Sequence, residues 1–382
     1  MRIGVNTLAA VPGKSGGDGT YVRSLVRHLA NTDSTNTYFI FIAPYNRIWF
    51  DVQQENVRYV LCQVPNNYYL RVAWEQTVLP IVIRRMKLDV FHATVNVSPA
   101  LLVTPTVLTI HDVFAFMPEV KMPLPLRLYW RVFRSWSAYR SIAVIVMSDG
   151  SAPETHQLMG VPTDKLHRIY NGVDHRFQPL DRSRCRELVK SLYGVEDRFI
   201  LWVGRPYANK NVARIIEAFA QVAAILQNVH LVLVGPDGWE SAQLSDAIGR
   251  SGLGTSVHML GYVPNEELPT LYNAADAFLF PSLKETFGFP IVEAMACGTP
   301  VVTSITSVLP EIAGGAAELV DPTNVESIAQ GVLNVLNNAD RWEQLRARGL
   351  QRAIDFDWNS NAAQTLELYT AVYTRVAQQA GN

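Results

Sequence analysis

The feature that most constrains this chain is an alternation of strand and helix patterns that runs through it twice. Short runs rich in Val and Ile, at Arg2–Leu8, Tyr38–Ile42, Val57–Cys62, Val107–Ile110 and Ile142–Met147, alternate with stretches of helical period such as Thr20–Ala30 and Arg71–Met86. Strands that are apolar throughout are buried on both faces, which is the condition of a parallel sheet covered by helices. After the turn Asn171-Gly172-Val173-Asp174 and the polar segment Gln178–Arg184 the pattern restarts. It gives strand Phe199–Val203, helix Asn211–Leu226, strands His230–Val234 and Ala277–Phe280, helix Pro290–Ala296 and strand Pro300–Thr303. The expected fold class is α/β, with two doubly wound parallel-sheet domains at about 1–178 and 179–359; 382 residues exceed what one core usually supports. Open sheets of this kind bind ligands beyond the carboxyl ends of their strands, so the site residues are expected in loops that follow strands and face a cleft between the domains.

Several function classes drop out on motif grounds. Cys62, Cys185 and Cys297 are widely spaced, which argues against a disulfide framework or a structural zinc site and fits a reducing cytosol. The N-terminal residues hold no long apolar run and no cleavage site, so export by signal peptide is not expected, and no stretch reaches the length of a membrane span. Gly13-Lys14-Ser15 lacks the upstream glycine of a phosphate loop, that place being Leu8, and Gly17-Asp18-Gly19 runs on to Val22 where a dinucleotide finger needs a third glycine. No H-E-x-x-H, G-x-S-x-G or calcium-loop motif occurs.

The net charge of −1 conceals an asymmetry: 18 basic against 12 acidic residues up to Gln178, and 15 against 22 beyond it. No nucleic-acid partner is expected. In the segment Pro125–Arg140, helical spacing puts Arg127, Arg131 and Arg134 on one face and Leu126, Tyr129, Trp130 and Phe133 on another. Such a helix either touches an anionic membrane or buries its aromatic face in the core and leaves its arginines in water.

Three strand-end loops carry the chemistry. In Ser15-Gly16-Gly17-Asp18-Gly19-Thr20 the glycines let backbone amides approach a phosphate at a helix N-terminus; the plain alternative is a tight turn. In Gly204-Arg205-Pro206-Tyr207-Ala208-Asn209-Lys210-Asn211, Arg205 offers a fork to phosphate oxygens and Lys210 a point charge, unless both are solvated surface cations. The third loop, Phe280 to Gly288, leads into a helix opened by Pro290 and closed by Gly298. Glu285 in that loop and Glu293 in the helix can accept pairs of hydroxyl donors, as a ribose diol or a sugar presents, beside amides around Gly288. Otherwise Glu293 merely favours the helix start and Glu285 is solvated.

Glu285 and Glu293, with seven residues between them, within Lys284-Glu285-Thr286-Phe287-Gly288-Phe289-Pro290 and Glu293-Ala294-Met295-Ala296-Cys297-Gly298-Thr299-Pro300, resemble the signature of the retaining family 4 glycosyltransferases. The resemblance extends over Leu108-Thr109-Ile110-His111-Asp112, Asn171-Gly172-Val173-Asp174, Gly204-Arg205 with Lys210-Asn211, Leu260-Gly261-Tyr262-Val263 and Phe356-Asp357-Trp358. It implies a GT-B fold: a Rossmann-like acceptor domain, a Rossmann-like nucleotide-sugar domain, and a last helix at about 360–382 that returns to the first. It implies that Arg205 and Lys210 hold the donor diphosphate and stabilise its departure, so that no metal or other cofactor is expected. Glu293 would take the ribose, Glu285 and the amides near Phe287, Gly288 and Phe289 the transferred sugar, and Gly16 and Gly17 would approach the phosphates. His111 would orient sugar or acceptor. By the same resemblance the reaction retains anomeric configuration, the donor is a nucleotide sugar such as GDP-mannose or a UDP-sugar, and the acceptor is a glycan or a lipid-linked glycan at the cytoplasmic side of a membrane. A GT-B epimerase or phosphorylase, and a non-catalytic sugar-nucleotide-binding partner, are the alternatives.

Overall fold

The computed structural model describes residues 1–117, 122–236, 248–249 and 252–381. The chain divides into two units, Met1–Gly172 with Asp357–Asn382, and Val173–Phe356. The first unit is built on β1 (Arg2–Asn6), β2 (Thr37–Ile42), β3 (Val57–Leu61), β4 (Val90–Ala93), β5 (Thr106–Thr109), β6 (Ala143–Val146) and β7 (Leu166–Arg168). These form one sheet in the order β3-β2-β1-β4-β5-β6-β7, and every neighbouring pair is parallel. The second unit has β8 (Arg198–Val203), β9 (Val229–Val234), β10 (Val257–Gly261), β11 (Ala277–Phe280), β12 (Val301–Ser304) and β13 (Ala317–Val320), in the order β10-β9-β8-β11-β12-β13, again all parallel. Each sheet therefore reverses its strand order once, beside β1 and β4 in the first unit and beside β8 and β11 in the second. Such a reversal splays the two following loops apart and opens a crevice at the carboxyl ends.

The apolar runs are buried along their whole length in β4, β5, β6, β11 and β12, as strands covered on both faces must be. In the first unit Phe41, Phe91, Leu79, Ile83, Leu108 and Val144 share one core cluster. The terminal helix Trp358–Gly381 packs against the helix Gly17–Thr32 of the same unit. Tyr369 on it meets His92 Nδ1 at 2.6 Å, and Asn361 Nδ2 donates to the Tyr170 carbonyl at 2.7 Å. Gly172 is required where this helix begins, because a Cβ there would lie 2.3 Å from the Trp358 backbone nitrogen. The expected end of that helix, Asn382, lies outside the described residues.

Two boundaries differ from those read in the sequence. The division falls after Gly172 rather than Gln178, since the Gln178 carbonyl accepts from Asn273 Nδ2 and Val173 N donates to the Phe356 carbonyl, both partners within the second unit. The single helix expected over Arg71–Met86 is two, Tyr68–Thr77 and Leu79–Met86. Pro80 has no N–H to continue the first helix and sits comfortably in the opening turn of the second. Among the described residues, no helix is long and apolar enough to cross a membrane.

Candidate active site

In the second unit the loops leaving β8, β11 and β12 are bound to one another through side chains. Asn211, buried and in the left-handed conformation at φ 62°, begins the helix Val212–Ile225. Its amide donates to the carbonyls of Pro281 at 3.0 Å and Pro322 at 2.6 Å. Asn209 Nδ2 donates to the Lys284 carbonyl at 3.0 Å, and Leu283 N to the Asn209 carbonyl at 2.8 Å. Gly204 can lie this close to the end of β9 because residue 235 is also glycine: a Cβ at Gly235 would sit 1.7 Å from the Gly204 carbonyl oxygen. The β8 loop is thus held in place before any ligand arrives.

This bracing brings two of the expected residues together. Lys210 Nζ meets Glu285 Oε1 at 2.5 Å, with Glu285 only 7% exposed, and the ammonium lies 5.0 Å from the centre of the Phe280 ring. An ion pair this buried holds each partner to one geometry, and removal of either leaves the other stranded. The Glu285 backbone is fixed as well: its N–H donates to Ser307 Oγ at 3.1 Å, and that hydroxyl donates back to the Glu285 carbonyl at 2.8 Å. Ser307 itself adopts φ 61°, a conformation costly for a residue with a Cβ. Arg205 stands half-buried at the start of the same β8 loop.

Gly288, at φ 99°, turns the chain into the helix Phe289–Ala296, with Pro290 in its first turn. Phe287 is buried against Phe289 and Phe356, so its side chain anchors the turn while its backbone lines the loop. Glu293 is not paired with Glu285. Its Oε2 accepts from Tyr272 Oη at 2.9 Å. Burial pushes its carboxyl up to about 7; the Tyr272 hydrogen bond opposes this and the nearby Asp174 adds to it.

In the first unit, Gly16 precedes the helix Gly17–Thr32, its N–H donating to Asp18 Oδ1 at 2.8 Å, and Gly17 is exposed at the helix start. His111 follows β5. Its N–H donates to Asn96 Oδ1 at 2.7 Å, its ring stands edge-on to Tyr21 at 4.9 Å, and Nε2 lies 2.7 Å from the Thr94 carbonyl. A carbonyl only accepts, so Nε2 carries the proton and Nδ1 is the ring's acceptor atom. Burial holds the imidazole below its ordinary value, hence neutral.

The expected arginine face of the next helix is only partly present. On the helix Leu124–Arg140, Arg134 is buried rather than in water. Its NH1 bonds Asp112 Oδ1 at 2.7 Å and the Asp112 carbonyl at 2.9 Å, and its guanidinium lies 4.7 Å from the Trp130 ring centre. Burial opposes ionisation of Asp112, but Arg134 prevails and holds its carboxyl below the usual range. The exposed stripe is instead Leu124, Leu128, Val132, Trp136 and Tyr139, with Leu101 and Val103 of a neighbouring loop also exposed. Helical spacing gave two faces, whereas this helix has three: apolar outward, aromatic half-buried, and one arginine inward.

Sequence reasoning assigned no role to Ser307, Tyr272 or Asn209. Ser307 follows a strand end, the position rule that found the other loops; Tyr272 carried no signal, being one aromatic on an apolar helix.

The chain thus has two parallel-sheet α/β units, with a buried lysine–glutamate pair at the strand reversal of the second. Residues 15–177 match the family Glycosyltransferase Family 4, and residues 186–352 match Glycosyl transferases group 1. The chain is similar to the O-antigen chain mannosyltransferase B of Escherichia coli, 31% identical over 265 residues that make up 69% of each chain. It is also similar to the MMP alpha-(1->4)-mannosyltransferase of Mycolicibacterium hassiacum, 30% identical over 77% of this chain and 73% of that one. Its fold matches that of a sucrose-phosphate synthase from Thermosynechococcus elongatus with a TM-score of 0.81 at 21% identity, over 98% of this chain and 100% of that one. The chain belongs to the family 4 glycosyltransferases and is an enzyme of the GT-B fold class.

Proposed function

We propose that this enzyme is a retaining hexosyltransferase that moves a hexose, mannose before others, from a nucleoside-diphosphate sugar to a hydroxyl of a glycan or lipid-linked acceptor. The observation that carries this reading is the buried Lys210–Glu285 pair on braced loops at the strand reversal of the second sheet, with Glu293 on the following helix. In this reading Arg205 and Lys210 receive the diphosphate, supplying the positive charge a metal ion supplies in other enzymes, and Glu285 accepts hydroxyls of the transferred sugar. Glu293 accepts the ribose diol, and backbone amides at Phe287, Gly288 and Phe289 hold the sugar. Gly16 and Gly17 approach the phosphates, and Nδ1 of His111 accepts from a sugar or acceptor hydroxyl. The bond from the anomeric carbon to the diphosphate breaks, a bond to the acceptor oxygen forms on the same face, and the acceptor's proton passes to the departing phosphate oxygen. Mannose is favoured because both relatives named above are mannosyltransferases.

The test is a thermal-shift panel of GDP, UDP and ADP with their common sugars, each in magnesium and in EDTA. At a hundredfold excess over its dissociation constant a donor adds about 2.7 kcal/mol. One base family is expected to shift the melting temperature equally in both buffers, and Lys210→Ala to abolish the shift. No response to any nucleotide overturns the assignment.

A second observation bears on the acceptor's setting. The stripe Leu124, Leu128, Val132, Trp136 and Tyr139, together with the exposed Arg131 and Arg140 of the same helix, suits the cytoplasmic surface of an anionic membrane, where a lipid-linked acceptor would reside. Co-sedimentation with anionic vesicles is expected, weakened by Leu128→Ser with Val132→Ser more than by salt alone; equal binding of variant and parent removes this face from the reading.

A further inference from the structure

The first unit contains a buried chain of hydrogen bonds that the donor chemistry does not use. Tyr369 Oη, on the terminal helix Trp358–Gly381, lies 2.6 Å from His92 Nδ1; His92 Nε2 lies 2.7 Å from Thr109 Oγ1, and Thr109 Oγ1 lies 3.0 Å from Tyr21 Oη. Thr109 ends β5, two residues before His111. Tyr21, on the helix Gly17–Thr32, stands edge-on to His111, with ring centres 4.9 Å apart and planes at 73°. We propose that Tyr21 is a positioning residue for His111 and that the docked terminal helix sets it through this chain; the inference rests on the reading of His111 as the group that orients sugar or acceptor.

The chain is closed to water: Tyr21, His92, Thr109 and Tyr369 are each 1% exposed or less. Burial pushes both tyrosine hydroxyls up, so they stay protonated. Burial, with a smaller effect of His111, drives His92 down to about 3, so its ring is neutral at any ordinary pH. A neutral imidazole donates at one nitrogen and accepts at the other. The hydroxyls of Tyr369 and Thr109 must therefore take opposite roles, one receiving the ring proton and the other giving its own. A change at Tyr369 is felt at Thr109, and from there at the Tyr21 hydroxyl. The terminal helix also reaches Tyr21 directly, through Trp358, whose ring is tilted against it at 6.1 Å.

His111 has a use for such a hold. Its Nε2 meets the Thr94 carbonyl and its backbone N–H meets Asn96, but rotation of an imidazole about its bond to Cβ is broad, so a hydrogen bond at one ring atom leaves the plane of the ring loosely defined. The edge of Tyr21 supplies a wall, at an angle that aromatic pairs favour. With its hydroxyl held at Thr109, the Tyr21 ring does not pivot away from the imidazole, and Nδ1, the acceptor atom of His111, keeps one direction. Phenylalanine would fill the same space with no hydroxyl to bury; a run of buried polar groups is the costlier choice, and what it adds over packing is direction.

The experiment is long-range proton–nitrogen correlation NMR of the full chain carrying isotope-labelled histidine, in which the Nδ1 and Nε2 shifts of a ring report its tautomer; the His111 pair is identified by its loss in His111→Gln. Three variants each delete one buried hydroxyl and keep the ring: Tyr369→Phe and Tyr21→Phe on the chain, and Tyr38→Phe off it, where the hydroxyl donates to Asp33 Oδ2 at 2.7 Å. The parent is expected to show two well-separated His111 shifts, with Nε2 the protonated atom. In Tyr369→Phe and Tyr21→Phe the two are expected to converge as the ring loses its single tautomer, whereas Tyr38→Phe is expected to melt lower and leave them in place. Unmoved His111 shifts in folded Tyr369→Phe or Tyr21→Phe, or equal movement in Tyr38→Phe, overturn the proposal. The measurement contains no nucleotide, so a thermal-shift panel without any response is a failure of the transferase reading alone, and unmoved shifts beside a responding panel are a failure of the positioning alone.

Discussion

The two units share a topology and solve its opening differently. In the second, the loops at the strand reversal are bound together by Asn209, Asn211 and Ser307, and the charge they carry is a buried ion pair, Lys210 with Glu285, on those loops themselves. In the first, the corresponding ion pair ties the loop after β5 to a helix: Arg134 reaches Asp112, and the neighbouring His111 is a buried, neutral imidazole. On the proposed reading, the same fold spends its charge at the reaction in one unit and on the scaffold in the other. A diphosphate leaving group needs fixed positive charge, whereas a sugar hydroxyl needs acceptors and shape.

The sharpest way to break this comparison is to remove one cation from each unit. Lys210→Ala is expected to lower turnover by about a thousandfold, the order seen when a group that stabilises a departing anion is lost. Arg134→Met strands Asp112 and is expected to cost about 3–5 kcal/mol of stability while leaving the nucleotide-induced thermal shift intact. Melting curves with and without nucleotide, and steady-state rates, check both. If Lys210→Ala is nearly as active as the parent, or if Arg134→Met stays as stable and loses nucleotide binding, the assignment of catalytic and scaffold charge is reversed.

A smaller effect is expected from pH. Glu293 ionises at about 7, above the 4.5 of an unconstrained glutamate, so the folded state favours its protonated form. Its contribution to stability is complete below 4.5 and is lost as pH rises through about 7. Glu293→Gln should therefore melt a few degrees higher than the parent at pH 8 and equal it near pH 4.5. The ribose diol is best accepted by the carboxylate, so the donor KM of the parent should rise about tenfold per unit as pH falls below about 7, and that dependence should vanish in Glu293→Gln. A flat donor KM between pH 8 and pH 6 removes Glu293 from the ribose.

Much of this was legible in the sequence, and the limits have physical causes. Strands such as β2, β5, β6, β8, β9, β11 and β12 could be read because they are buried nearly throughout and so appear as apolar runs, β11 being bounded at Ala277 and Phe280 as observed, whereas the short or exposed β7, β10 and β13 gave no such run. The loops of Lys210, Glu285 and His111 were found because ligands of such sheets lie at strand ends. The contact between Lys210 and Glu285 was not, because pairing across 75 residues is a tertiary fact. Arg134 misled for the reverse reason: its spacing matched Arg127 and Arg131, but only the fold shows that Asp112, 22 residues earlier, takes it inward. The break at Val78 was signalled by Pro80 and overridden by helical periodicity on both sides.

The smallest expected effect tests how far the bracing of the second unit matters. Ser307 does not carry charge, and its hydroxyl reaches no side chain of the pair; it holds both backbone groups of Glu285. If position is what the second unit spends its hydrogen bonds on, loss of that hydroxyl should let Glu285 drift and lower kcat about tenfold, the worth of one to two hydrogen bonds, with KM for donor little changed. A purely structural serine would instead act through stability, and its left-handed φ of 61° allows the two roles to be separated. Ser307→Gly relieves that backbone strain and should melt about 1 kcal/mol more stably than Ser307→Ala, yet both lack the hydroxyl. Equal loss of kcat in the two variants, despite their different stabilities, makes Ser307 a positioning residue for Glu285; a loss that tracks stability, with Ser307→Gly close to the parent in rate, makes the bracing of the second unit scaffold no different in kind from that of the first.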